Sequence, residues 1–396
     1  MQIYLDHSAT TPPHPAVVAR IRQLAQEQWG NASSLHQWGD RAALVLETAR
    51  TQVAQLLNAA DPETIIFTSG GTEADNLALL GVTRQYAQPQ HLIISTVEHP
   101  AIAATADWLA TQGWDITRLP VDTQGRVSPA SLTAALRPDT VMVSVIYGQS
   151  EVGTRQPIAA LAEIARAHGV LFHTDAVQGV GRCPLDVQTL GIDLLSLSGH
   201  KFYGPQGIGA LYVRPGVELM PLLWGGGQER GWRSGTQAIP LVGGLGQAAQ
   251  LAAQSLTTEA TRLENLRDRF FDQLAADSRL EPTGDRTHRL PHHVSVCLPE
   301  APPGITGRTL VRQLKLAGIA SSAGSACHSG QASPSPVLQA MGYGDAIART
   351  GLRFSLGQST TVEDVDWTAL VLGQILDRLW AEHSEQKSLA LSGISA

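Results

Sequence analysis

What this chain is short of narrows its class before any motif is read. Cysteine is scarce: Cys183, Cys297 and Cys327 are the three in 396 residues, an odd number that suits neither a disulfide framework nor a metal-ligand cluster. Each is read as core filler or as a reactive thiol, and no metal site is expected. Positive charge is in deficit, with 28 Lys and Arg against 35 Asp and Glu and a formal net charge of −7. There is thus no basic field of the kind that holds nucleic acid or anionic lipid, and the expectation is no nucleic acid and no membrane partner. No apolar run reaches the 18 or so residues of a membrane span. The start, Met1-Gln2-Ile3-Tyr4-Leu5-Asp6, lacks the cationic and apolar stretches of a signal peptide, which points to a cytoplasmic protein. The 38 glycines and 22 prolines fall well under the roughly 25–30 % share that marks low complexity. What is there is globular in character, 43 % hydrophobic, and at roughly 150 residues per domain the length suggests two or three domains.

Short apolar or β-branched runs alternate with helical patterns through the first two-thirds. Ile65-Ile66-Phe67-Thr68, His91 to Ser95, Val141 to Ile146, Val170 to Thr174 and Leu194 to Leu197 read as strands buried on both faces. Helices are predicted between them at Glu73 to Gln85, Ala101 to Gln112 and Ala159 to His168. This alternation predicts an α/β fold with a mostly parallel sheet and helices on both sides. Gly207 to Val213 follows the preceding strand with no helix between, so it is expected to run antiparallel. Beyond Leu256 the texture changes to a smaller α+β region: a helix at Glu259 to Ala275, a strand at His293 to Leu298, a helix at Gly307 to Ala317, a strand at Arg353 to Leu356 and a closing helix from Val362 to Trp380. The segment from Ser321 to Ser335 is rich in Ser, Ala and Gly and reads as a mobile loop, and 384–396 reads as a disordered tail.

Three stretches carry chemistry. Thr68-Ser69-Gly70-Gly71-Thr72-Glu73-Ala74-Asp75-Asn76 follows a strand and opens a helix. Two glycines, free helix N–H groups and the Thr72 hydroxyl form a phosphate cup, or else an ordinary capped turn. Next, Phe172-His173-Thr174-Asp175 ends a buried strand in a carboxylate, placed where ligands bind in this fold class or serving as a helix cap. Finally, Ser198-Gly199-His200-Lys201 follows another strand end. A lysine there, with Ser198 and His200 beside it and an Asp on a nearby strand, fits a Schiff-base lysine whose cofactor ring nitrogen is held by that Asp.

With these residues in view, the chain resembles the fold-type I pyridoxal-phosphate enzymes, and among them the NifS/IscS-type cysteine desulfurases of the class V aminotransferase family. The likeness runs from Tyr4-Leu5-Asp6 to about residue 380. It rests on ordered signatures: Ala9-Thr10-Thr11-Pro12, Asn31-Ala32-Ser33-Ser34-Leu35-His36, Ser69-Gly70-Gly71-Thr72-Glu73-Ala74-Asp75-Asn76-Leu77, Glu98-His99-Pro100, His173-Thr174-Asp175-Ala176-Val177-Gln178, Ser198-Gly199-His200-Lys201, Gly225-Gly226-Gly227-Gln228-Glu229, Arg233-Ser234-Gly235-Thr236 and Gly324-Ser325-Ala326-Cys327. The resemblance implies a large domain at 14–256 with a mostly parallel seven-stranded sheet. It also implies a smaller domain made of 1–13 and 257–383 that carries the cysteine loop.

The resemblance further implies that pyridoxal 5'-phosphate is bound covalently by Lys201, with Asp175 on the ring nitrogen, Gln178 on the phenolic oxygen and His99 stacked on the ring. The phosphate would be held by Gly71, Thr72, Ser198 and His200, and by Thr236 from the other subunit of a homodimer. Arg353 would take the substrate carboxylate through a bidentate pair, with Ser150 and Asn31 also near substrate. Lys201, His99 and Cys327 would be the catalytic residues, converting L-cysteine to L-alanine and leaving a persulfide on Cys327. That sulfur would pass to an acceptor or an iron–sulfur scaffold protein. Cys297, in an apolar strand, and Cys183 read instead as small buried hydrophobes.

The chain departs from the family pattern at Tyr147-Gly148-Gln149-Ser150-Glu151, where relatives typically read His-x-Asn-Asn-Glu. It departs again at Asp6-His7-Ser8-Ala9, in place of the commoner Asp-Asn-Asn-Ala, and at His328, where Thr or Ser is usual. Two other functions stand beside the desulfurase: a selenocysteine or cystine lyase, and a sulfur-carrier or scaffold-binding subunit with weak catalysis.

Overall fold

The computed structural model describes residues 2–324 and 333–391. Its centre is a seven-stranded sheet in the order Ile65–Thr68, Gly209–Val213, Leu194–Ser198, Leu171–Asp175, Thr140–Ser144, His91–Ser95, Asp115–Leu119. Neighbours from Leu194–Ser198 to Asp115–Leu119 pair in parallel, whereas Gly209–Val213 is antiparallel to both of its neighbours. Successive side chains on these strands enter different cores. Ile65 and Phe67 pack with Val45, Leu161 and Val242 on one face, while Ile66 packs with Leu77 and Ile102 on the other. Because both faces are covered, the strands read as continuous apolar runs rather than as alternating ones.

The edge strand Asp115–Leu119 is absent from the sequence reading. Its residues Asp115 and Arg118 are exposed, as an edge demands, and a search for doubly buried strands passes over it. The helix expected at Glu259 to Ala275 starts twenty residues earlier and spans Ile239–Leu274. Pro240 is tolerated in its first turn, and Gly243, Gly244 and Gly246 allow it to press onto the helices Pro15–Glu27 and Gln37–Leu56. A β-carbon on Gly244 would lie 2.7 Å from Ile21.

A second core gathers Ile3, Leu5, Phe270, Val294, Leu310, Phe354 and Leu372. It lies on a four-stranded antiparallel sheet of Ser322–Ala323, Leu352–Ser355, His293–Cys297 and Glu281–Pro282. The first residues of the chain belong to this core: Ile3–Tyr4 pairs in parallel with Ile319–Ala320. From there the chain crosses to the large sheet, where the Thr11 N–H donates to the His200 carbonyl at 2.9 Å.

The closing helix runs to Leu391, so the tail expected from residue 384 is helical for its first eight residues. Glu385, Gln386, Lys387, Leu389 and Ala390 are good helix formers, and no glycine or proline interrupts before Gly393. Residues 392–396 lie outside the described residues. Among those described, no helix is long and apolar enough to cross a membrane.

Candidate active site

Strands of the large sheet deliver their carboxyl ends to one cavity, the position at which open α/β sheets take ligands. Gly71, Thr72 and Asp75 come from the helix after Thr68, His99 from the turn after Ser95, and Ile146 and Ser150 from the segment after Ser144. Asp175, Val177 and Gln178 follow the next strand, and Ser198, His200 and Lys201 end the lining. Nine residues singled out from the sequence therefore face one another: Gly71, Thr72, His99, Ser150, Asp175, Gln178, Ser198, His200 and Lys201.

One end of this cavity is built to take an anion. The helix Gly71–Thr83 has Gly70 as its N-cap and no side chain capping it, so its first N–H groups are open to a ligand. Gly71 is required by proximity: a β-carbon there would lie 2.7 Å from Val177 Cγ2. Thr72 and Ser198 line the same cavity. The His200 Nδ1 lies 3.0 Å from Thr10 Oγ1, and burial, helped by Lys201, lowers its pKa to about 4. His200 is thus a neutral hydrogen-bonding ring at neutral pH, not a cation.

The other end is acidic. Asp175 Oδ1 accepts from the Val177 N–H at 2.9 Å. Burial raises its pKa, while the nearby His99 and Lys201 oppose that rise. Asp75, also buried, is pushed up by burial and then by the Asp175 charge. Glu98 is pushed up to about 8 by burial, although Ser95 Oγ and the Ile146 N–H both donate to its Oε1. His99 is the N-cap of the helix Pro100–Thr111, and its Nδ1 accepts from the Ala101 N–H at 3.1 Å. The neutral ring therefore carries its proton on Nε2, and burial lowers its pKa against the pull of Asp175.

Lys201 Nζ donates to the carbonyls of Ser8 and Ala9 at 2.7 and 2.8 Å, and Gln178 Nε2 donates to the same Ser8 carbonyl at 2.9 Å. The chain's N-terminal segment thus seats the amine. Arg353 lies one residue behind the lining: it donates to the Ser150 carbonyl at 2.9 Å and pairs with Asp6 at 2.7 Å. Of the departures from the family pattern, those at Ser150 and at His7-Ser8 lie close by. His293 Nε2 is 3.0 Å from that same Ser150 carbonyl, Ser8 Oγ is 3.2 Å from His292 Nε2, and His7 is buried.

Thr236 and Asn31 are exposed and are not among the lining residues of their own chain's cavity. Cys327 and His328 lie outside the described residues. Cys183 and Cys297 are buried, and burial raises both thiol pKa values. Asp75, Ser8 and Ala9 went without a role in the sequence reading. Asp75 sits inside the glycine-rich signature and was open to discovery there, but the Ser8 and Ala9 contributions are backbone carbonyls that no side-chain pattern signals.

The donor set fits pyridoxal phosphate: amides and hydroxyls for a phosphate, a buried carboxylate for a ring nitrogen and an amine for an aldehyde. Comparison with known proteins agrees. The family model of the class-V aminotransferases matches residues 3–367. The chain is 43% identical over 385 residues to "Cysteine desulfurase IscS" of Pseudomonas entomophila (strain L48), covering 96% of this chain and 94% of the relative. Among solved structures, a NifS-like protein superposes with a TM-score of 0.88 at 34% identity, covering 95% of this chain and all of that one. SspA in complex with cysteine superposes at 0.79, with 34% identity and coverage of 90% and 99%.

Proposed function

The chain belongs to the class-V aminotransferase family, and from that premise we propose that it is a pyridoxal-phosphate-dependent cysteine desulfurase that turns L-cysteine into L-alanine and keeps the sulfur as a persulfide on Cys327. The observation that supports this reading is the convergence of an anion cup, an amine and a buried carboxylate in one cavity. When bound, pyridoxal phosphate supplies an aldehyde for amine exchange and a ring that draws electrons from the substrate α-carbon.

The chain's own residues do the rest. Lys201, seated on the Ser8 and Ala9 carbonyls, provides the amine that holds the cofactor and, once released, the base for the substrate α-proton. Asp175, as an anion, favours a proton on the ring nitrogen. His99, neutral with its proton on Nε2, lies on the cavity wall where a substrate thiol proton can be exchanged. Thr72, Ser198 and His200 fix the phosphate. Arg353 takes the substrate carboxylate by trading part of its bond to Asp6. The Cys327 thiolate takes the substrate sulfur: an S–S bond forms, the substrate C–S bond breaks, and the carbon retains the electron pair and accepts a proton.

Separate cores on the two sheets support a division into a cofactor domain at 14–256 and a cysteine-bearing domain made of 1–13 and 257–383. Thr236, exposed and off its own lining, supports a homodimer in which it completes the partner's phosphate site. We place the enzyme in the cytoplasm and its sulfur on an acceptor or iron–sulfur scaffold protein. The test is to incubate the holoprotein with L-cysteine, measure alanine, and weigh the unreduced peptides. One added sulfur on the Cys327 peptide is expected. Sulfur on Cys183 or Cys297, or normal turnover in Cys327→Ala, would overturn the assignment.

A further inference from the structure

Asp75 stands apart from the roles assigned above. Its side chain is 2% exposed, it lines the cavity, and its Oδ1 has no hydrogen-bond partner among the described residues. An oxygen of Asp75, an oxygen of Asp175 and a ring nitrogen of His99 lie within 4.8 Å of one another. Two carboxyl groups this close and this buried do not both ionise, because the second charge would meet both the first and the loss of water.

Which of the two keeps the proton follows from their neighbours. Asp175 has the Val177 N–H at 2.9 Å and the positive field of Lys201. Asp75 has neither. On its own helix, Glu73 turns away to pair with Arg233 at 2.8 Å. From the strand Leu171–Asp175 it faces His173, whose Nε2 lies 3.7 Å from Asp75 Oδ1. That ring sits between the Ser144 and Ser196 hydroxyls at 2.8 and 2.9 Å, and burial lowers its pKa to about 3, so it brings no charge. The loop before the helix Pro100–Thr111 brings Glu98, another acid, and its N-cap brings His99. From the strand Leu194–Ser198 comes the Ser196 hydroxyl. Tyr212, on the neighbouring Gly209–Val213, has Arg214 and Asp193 as its electrostatic neighbours. Of the groups facing Asp75 among the described residues, only the Ser196 hydroxyl favours a negative charge on it, against burial and the charges of Asp175 and Glu98.

We propose that Asp75 is a positioning residue for the ring-nitrogen end of the cavity, which remains a neutral carboxylic acid and acts through Asp175 by keeping that side chain the single, oriented anion available to the cofactor's ring nitrogen. The inference rests on the cofactor reading given above. As a neutral acid Asp75 is a hydrogen-bond donor, and an amide can replace it in that office; as an anion it could not be so replaced.

The test compares Asp75→Asn, which keeps a neutral donor, with Asp75→Leu, which removes it in a side chain of the same branched outline. Three quantities are read: the pH midpoint of the bound cofactor's visible absorbance, the affinity of the apoprotein for pyridoxal phosphate, and the melting temperature of the apoprotein. Asp75→Asn should keep the midpoint and stay within about threefold of wild-type affinity. Asp75→Leu should move the midpoint by about one unit and weaken affinity about tenfold, the scale of one lost hydrogen bond to a charged group. Equal midpoint shifts in both variants would show an ionised Asp75 and overturn the proposal. Unchanged midpoints with lowered melting temperatures would reduce it to a packing residue and overturn it as well. Should Asp75→Leu fail to fold, infrared difference spectra of the holoprotein decide: a protonated-carboxyl band in wild type that is lost in Asp75→Asn supports the proposal, and no such loss refutes it. Wild-type protein that takes up no pyridoxal phosphate would overturn the cofactor reading itself, an outcome distinct from the others.

Discussion

The two ends of the cavity solve opposite electrostatic problems by different means. At the cup, an anion would meet helix N–H groups, Thr72, Ser198 and a neutral His200, and among the described residues no arginine lines the wall. At the far end, a cationic ring nitrogen would meet a formal charge, Asp175, set beside Asp75 and Glu98, whose pKa values are raised by burial. Distributed dipoles share their work, so each contributes modestly; a single buried anion opposite a cation has no deputy. The same cavity thus sorts the two charges of one ligand, and substitutions at its two ends should differ in size.

The largest effect belongs to the acidic end. Asp175→Ala leaves the ring nitrogen's proton without its counter-charge, and a buried partner lost in this way costs roughly 3–5 kcal/mol, about two to nearly four powers of ten in rate. Steady-state turnover beside a thermal melt checks it: activity should collapse while the melt moves little, and parallel losses would make Asp175 a structural carboxylate. Thr72→Ala should be smaller. One hydrogen bond to a charged group is worth about 1.5–3 kcal/mol, so cofactor affinity should fall about ten- to hundredfold, as read by titrating apoprotein with pyridoxal phosphate. If it fell further than in Asp175→Ala, the contrast between the two ends would fail.

A separate effect, on stability rather than on turnover, concerns pH. Glu98, with an ordinary pKa of 4.5, is held at about 8 in the folded chain, so the folded state binds its proton more tightly than the unfolded one. Its stabilising contribution is complete below pH 4.5 and is lost as pH rises toward 8. Denaturant melts of Glu98→Gln across that window should show a flatter pH dependence than wild type. An unchanged slope would mean that Glu98 ionises at an ordinary pKa.

Much of this was legible in the chain. The doubly buried strands announce themselves as apolar runs because helices cover both faces, and the residues at their ends, from Thr72 to Lys201, fall together once the strands are parallel. The edge strand Asp115–Leu119 was not legible, since its half-exposed pattern resembles a polar connection. Nor was the first part of the helix Ile239–Leu274, whose glycines read as breakers until the helices that press on them are in place. The seat of Lys201 was hidden for another reason: the Ser8 and Ala9 carbonyls belong to every residue type alike. Arg353 was found by its motif, but its bond to Asp6 and its place behind Ser150 depend on two distant segments meeting.

The central claim, that this cavity seats pyridoxal phosphate with its aldehyde toward Lys201, has a direct chemical test that the composition makes clean. The chain contains three lysines, Lys201, Lys315 and Lys387. Borohydride reduction of the holoprotein, followed by digestion and mass spectrometry, should fix the cofactor on the Lys201 peptide alone, with no label in Lys201→Ala. A label on Lys315 or Lys387, or one that persists undiminished in Lys201→Ala, would contradict the account.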